Sequence, residues 1–98
     1  MNMQALMKQA QSLQRDMEKI QEEIEKTTFE GENSIVKVKV NGRKEVLEIK
    51  IDKSSNLDKD DIEMLEDVIL VALNNAFKKV DEYKEKKLSK FGNIPGLI

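Results

Sequence analysis

Seven apolar residues, Met3, Leu6, Ala10, Leu13, Met17, Ile20 and Ile24, follow one another at intervals of 3, 4, 3, 4, 3 and 4, with Gln, Lys and Glu among the residues between them. This unbroken a/d spacing keeps one stripe of a helix apolar over about three heptads. It predicts a helix from about Asn2 to Lys26, ~37 Å long at ~1.5 Å per residue. Composition limits what can cover that stripe. Of 98 residues, 39% are hydrophobic and 4% aromatic, with no Trp, one Tyr and three Phe. So thin and aliphatic a core cannot blanket the whole helix. Part of it is expected to project or to pair with another helix, and dimerisation is the expected remedy.

Beyond the helix, the β-branched and aromatic run Thr27-Thr28-Phe29 precedes Glu30-Gly31-Glu32-Asn33, which reads as a short, weak strand followed by a turn. Ile35 to Ile51 carries the clearest strand signal. Val36, Val38 and Val40 alternate with Lys37 and Lys39, and Leu47, Ile49 and Ile51 alternate with Glu48 and Lys50. Asn41-Gly42 marks a hairpin turn between the two runs. For both apolar triplets to share a face, paired residue numbers must sum to an odd value, which a two- or four-residue loop provides. One face of this sheet is aliphatic and needs a cover; the other can face water.

Asp58-Lys59-Asp60-Asp61 places acids before and within a first helical turn, where they accept free N–H groups and oppose the positive end of the helix dipole. The stripe that follows, Ile62, Leu65, Val68, Ile69, Ala72, Leu73, Ala76, Phe77 and Val80, is broader than a seam, as in a helix covering a sheet or two neighbours. It thins to Tyr83, Leu88 and Phe91 and stops near Gly92 and Pro95. The expected fold is α+β, a single domain over residues 1–98. A long N-terminal helix, a small antiparallel sheet of a short strand plus a β-hairpin, and a long C-terminal helix follow in order, with 92–98 as a tail.

With no Cys and no His, disulfides, thiolate or imidazole metal sites, cysteine nucleophiles and histidine acid/base chemistry are excluded. The acids of Asp58 to Glu63 lack the Gly and Glu that an EF-hand loop requires and read as helix caps. Only four Gly are present, and the acids fall on polar helical faces. The chain is therefore not expected to be an enzyme, and no cofactor, metal or small-molecule substrate is expected. No apolar run approaches a membrane span of ~20 residues, and Met1 to Ala10 lacks the order of a signal peptide. A cytoplasmic protein with no membrane partner is the expectation.

The formal charge of −2 hides strong blocks. Residues 1–15 hold Lys8 and Arg15 and no acid, whereas 16–33 hold two bases against seven acids. Residues 34–53 have six bases against three acids, 54–77 one base against six acids, and 78–98 six Lys against three acids.

The segments Met7-Lys8-Gln9-Ala10-Gln11, Gly31-Glu32-Asn33, Val36-Lys37-Val38 through Asn41-Gly42, Asp60 to Asn75 around Met64-Leu65-Glu66-Asp67, and the closing Ile94-Pro95-Gly96-Leu97 resemble the YbaB/EbfC family of nucleoid-associated proteins. The resemblance spans about nine tenths of the chain in the same order. It departs at Ile51-Asp52-Lys53-Ser54, where the family tends to have Ile-Asp-Pro. The resemblance implies a homodimer whose helices project like tweezers and which binds double-stranded DNA of the nucleoid with weak sequence selectivity.

With the two helices antiparallel, residues 1–15 are expected beside 78–90. Lys8, Arg15, Lys78, Lys79, Lys84, Lys86, Lys87 and Lys90 would then share one end, and Glu22, Glu23, Glu25, Asp58, Asp60, Asp61 and Glu63 the other. Such cations bind DNA by neutralising phosphates and releasing counterions. Gln11, with Asn2, Gln4 and Gln9 on the same helix, would donate to phosphates or base edges. Leu6, Ala10, Leu13, Met17, Ile20 and Ile24 are assigned to core or dimer packing. A rival DNA surface is the outer sheet face, with Lys37, Lys39, Arg43, Lys44 and Lys50. A rival function is a prefoldin-like helical chaperone or protein-interaction module, which would carry apolar residues at its helical tips.

Overall fold

The computed structural model describes residues 2–91. The helix α1 spans Met3–Lys26; Asn2 caps it, its side chain accepting the Gln4 N–H at 3.1 Å. At the other end Thr27 donates its hydroxyl to the Glu23 carbonyl and turns the chain into extended conformation. Three antiparallel strands follow, β1 (Thr28–Asn33), β2 (Val36–Asn41) and β3 (Val46–Ile51), in the spatial order β1-β2-β3. A short helical turn at Lys59–Asp61 leads into α2 (Ile62–Leu88), and another turn at Ser89–Phe91 ends the described chain. Around that first turn, Asp58 accepts the Asp60 N–H while Asp61 accepts the Asp58 N–H, so these acids serve as caps. No helix among the described residues is long and apolar enough to cross a membrane. The sequence expectation for residues 92–98, the tail, lies outside the described residues.

The first strand corrects the sequence expectation, because Glu30 to Asn33 is not a turn but strand, paired from Thr28↔Asn41 to Asn33↔Val36. The reversal falls on Ser34 and Ile35, with Ser34 in the left-handed region at φ 52°. Gly31 is on the inner face, directly beneath α2, where a Cβ would overlap the Ala72 carbonyl and the Ala76 backbone. A strand glycine is used here for close approach of a helix, which neighbouring residues in sequence cannot reveal.

The hairpin between β2 and β3 satisfies the odd-sum condition, with Val36↔Ile51 and Val38↔Ile49, until a bulge near the turn brings Val40 opposite Val46. Its four-residue loop is organised by Asn41, whose Oδ1 accepts the N–H groups of Arg43 and Glu45 at 2.9 and 3.0 Å. Gly42 is pressed against the Ile24 carbonyl of α1, so close that a Cβ would overlap it.

The core lies between α2 and the first two strands. Val36, Val38, Val40 and Phe29 meet Val68, Ala72, Ala76 and Val80, all buried. Among the described residues, β3 lies against neither helix. Ile49 and Ile51, on the same face as Val38 and Val36, therefore remain open, Ile49 at 45% of its full exposure. A second cluster, Ile20, Ile24 and Leu88 with Phe91, joins α1 to the end of α2. Tyr83 connects the clusters, standing edge-on to Phe29 at 5.3 Å between ring centroids.

Only the C-terminal third of α1 is anchored in this way. The molecule is 71 Å long, whereas the 27 residues of α2 span ~40 Å, so the rest of α1 extends as an arm. Residues 3–16 are exposed throughout, Met17 is half-buried, and Leu6 and Leu13 each keep 42% of their surface open. Of the expected seam, then, Ile20 and Ile24 are core within the protomer and Leu6, Ala10 and Leu13 are not. The expected juxtaposition of residues 1–15 with 78–90 is also corrected. The helices do run antiparallel where they touch, but Ile20 and Ile24 have already reached Leu88 and Phe91, and the arm continues past them.

Candidate nucleic-acid interface

Up to Arg15 the arm is free of acids and carries two bases, Lys8 and Arg15; Asp16 and Glu18 follow. Helical geometry advances ~100° per residue, which places Lys8, Arg15, Lys19 and Lys26 within about 40° of one another, directly opposite the apolar seam. Gln4 and Gln11, also seven residues apart, flank this stripe. Among the described residues neither Lys8 nor Arg15 has a carboxylate within 4 Å. The alignment of Lys19 and Lys26 with Lys8 and Arg15 was missed in the sequence. It is readable there, with Lys8 and Arg15 recurring at one outer heptad position and Lys19 and Lys26 at another.

The lysines of α2 do not form one patch. Lys79 donates from Nζ to the Glu30 carbonyl at 2.7 Å, and the Lys87 ammonium stands 5.4 Å from the centre of the Tyr83 ring. Lys84 lines a groove between α1, the hairpin loop and α2, in the company of Glu25, Asp81 and Glu85. Lys78 and Lys86 have no carboxylate partner among the described residues. The side chain of Lys90 lies outside the described residues. Since Ile24 packs beside Leu88, Glu22, Glu23 and Glu25 belong to this junction and not to the remote Asp58 end. Charge along the molecule therefore runs from a basic arm, through a mixed junction, to an acidic end at Asp58, Asp60, Asp61 and Glu63.

On the outer sheet face every expected base meets a carboxylate. Lys37 is 3.9 Å from Glu32; Lys39 is 3.9 Å from Glu30 and 3.6 Å from Glu48; Lys50 is 3.3 Å from Glu48. In the hairpin loop Arg43 pairs with Glu45 at 3.8 Å and Lys44 with Asp81 at 2.8 Å. Each exposed pair adds little stability. Together they leave three Lys against three Glu on the sheet, a surface with no net attraction for phosphate. Just past the end of β3, Asp52 accepts the N–H and hydroxyl of Ser54 at 3.0 and 2.8 Å, which holds its carboxyl below the usual range, with Lys37 adding a smaller electrostatic pull.

Chemically, then, the arm offers cations and amides on one side, with Lys8 and Arg15 unpaired among the described residues, and aliphatic residues on the other. A family model for the YbaB/EbfC DNA-binding family matches residues 1–94. The chain is 46% identical over 103 residues to a nucleoid-associated protein of Acetivibrio thermocellus, covering 99% of this chain and 90% of the relative. It is 43% identical over 100 residues to a nucleoid-associated protein of Ligilactobacillus salivarius, covering 99% and 95%. An uncharacterized protein from Helicobacter pylori, whose crystal structure is known, shares the fold with a TM-score of 0.76 at 22% identity, over 93% of this chain and 97% of that one.

Proposed function

The chain belongs to the YbaB/EbfC DNA-binding family, and on that premise we propose that it is a nucleoid-associated protein binding double-stranded DNA as a homodimer through its projecting arms. Lys8 and Arg15 neutralise phosphates, Gln11 donates beside them, and the unpaired Lys78 and Lys86, with Lys79, Lys84, Lys87 and Lys90, extend the basic region along α2. The observation that carries this reading is the contrast between the two candidate surfaces. Among the described residues Lys8 and Arg15 of the arm have no carboxylate within 4 Å, while each sheet lysine is matched by a glutamate. Contacts of this kind go mainly to the DNA backbone and carry no sequence information, which gives weak selectivity. A cytoplasmic location on the nucleoid accompanies this function.

The homodimer is supported by the uncovered apolar surface. Leu47, Ile49 and Ile51 of β3 and Leu70 and Val71 of α2 are all exposed in the protomer. Exposed apolar surface of this kind, above all on the face of β3 that α2 leaves open, marks an interface more often than a solvated face. Pairing two copies there covers the face of β3 that α2 leaves open and sends two arms outward from one body.

Amide chemical-shift mapping during titration with a duplex of arbitrary sequence tests the assignment. The largest changes are expected from Gln4 to Arg15, with smaller ones from Lys78 to Lys87. Changes centred on Lys37, Lys39 and Lys50 with an unperturbed arm would overturn it.

A further inference from the structure

The arm has a second side. Opposite Lys8 and Arg15, the residues Met3, Leu6, Ala10 and Leu13 continue the seam that Ile20 and Ile24 begin, with no interruption in its 3,4 spacing. The anchored part of the seam packs on Leu88, which ends α2, and on Phe91, which ends the described chain, so among the described residues the same stripe runs on beyond its own helical partner. Met3 is 73% exposed. DNA contact by the opposite face leaves this stripe unused.

We propose that the seam of the arm is a self-association surface, at which arms from two copies pack against each other as a short two-stranded coiled coil. Three features favour a second copy as the occupant. First, strict a/d spacing is the pattern that a helix, and not a sheet or a loop, complements. Second, the residues flanking the seam from Met3 to Leu13 are Asn2, Met7, Gln9 and Gln14, all uncharged, with Asp16 the first flanking charge, so over these two heptads two arms meet without like-charge repulsion. Third, Lys8 and Arg15 face away from the seam and remain free for phosphate in the paired state. Two heptads form a marginal coiled coil in water, so the pairing is weak between free molecules and strengthens when DNA holds copies close together. With the sheet-face pairing proposed above, arm pairing links dimers into larger assemblies; only that linking rests on the sheet-face reading.

The chain has no cysteine, which makes the test direct. Single-cysteine variants of the full chain, Leu6→Cys, Ala10→Cys and Leu13→Cys, are oxidised at micromolar concentration alone and in pairwise mixtures that cover parallel and antiparallel alignments, with Ser12→Cys, outside the seam, as control. At least one seam combination is expected to cross-link several-fold faster than the control, because thiols in the paired fraction see a raised effective concentration. Added duplex is expected to raise that rate further. Equal rates at seam and control positions would overturn the proposal. Thiol labelling of Ala10→Cys is expected to slow as protein concentration rises. Labelling that is equally slow at every dilution would mean that the chain covers its own seam, and equally fast labelling that nothing does; either result overturns it. Adding Ile49→Lys separates the two interfaces: cross-linked product then stops at two chains, whereas in the parent background it grows larger. Cross-linking that vanishes with Ile49→Lys would show that the arms meet only through the sheet-face pair, and would overturn an independent arm interface.

Discussion

At the scale of single residues the fold rests on two glycines that let elements approach, and they differ in how visible they are. Gly42 follows Asn41 in a dipeptide that announces a hairpin, and the side chain of Asn41 then organises that loop. Gly31 announces nothing of the kind, because its neighbours Glu30, Glu32 and Asn33 read as turn residues until the helix above them is known. Glycine usually weakens a strand, so Gly31→Ala would ordinarily help. Here the Cβ meets the Ala72 carbonyl and Ala76. The substitution is expected to lower stability by about 1–3 kcal/mol, the cost of overpacking, read as a lower urea midpoint at unchanged slope. An unchanged or higher midpoint would mean that α2 stands further from the sheet. The Asp58 to Asp61 caps, by contrast, were legible, because their bonds are made within one turn of chain.

At the scale of elements, both helices and the hairpin were legible, since their periodicities of 3.6 and 2 are local properties. What covers each apolar face was not. The seam of α1 looks uniform in sequence, yet α2 ends where Ile20 and Ile24 meet Leu88, so among the described residues coverage stops there, for a reason encoded far from α1. Likewise β3 has the alternation of a buried strand, but α2 crosses above β1 and β2 only. An exposed edge strand carrying Leu47, Ile49 and Ile51 is expected to be covered by a second copy. Ile49→Lys, whose site is already 45% exposed in the protomer, is therefore expected to leave the fold intact and shift sedimentation at micromolar concentration from a dimer to the 11.3 kDa monomer. A variant that remains dimeric would place the interface elsewhere.

At the scale of the molecule, charge blocks were legible in the sequence and their arrangement was only half so. An acid-free segment at residues 1–15 and a lysine-rich one at 78–90 are facts of composition. Their placement side by side was expected from antiparallel helices alone, which does not fix how far α1 reaches past α2. The structure instead sets them in succession along a 71 Å rod, with Glu22, Glu23 and Glu25 at the junction between them. That arrangement concentrates unpaired positive charge on the arm and leaves the sheet neutral, and it puts the arm at the centre of the proposed function. The dependence of duplex affinity on salt concentration tests this most directly, because the slope counts the phosphates neutralised. Replacing Lys8 and Arg15 together by Gln is expected to reduce the slope by ~0.9 for each phosphate no longer neutralised, and so by ~3.6 for a dimer engaging both arms. Replacing Lys37, Lys39 and Lys50 by Gln is expected to leave it nearly unchanged. A slope that holds in the arm variant and falls in the sheet variant would contradict DNA binding by the arm.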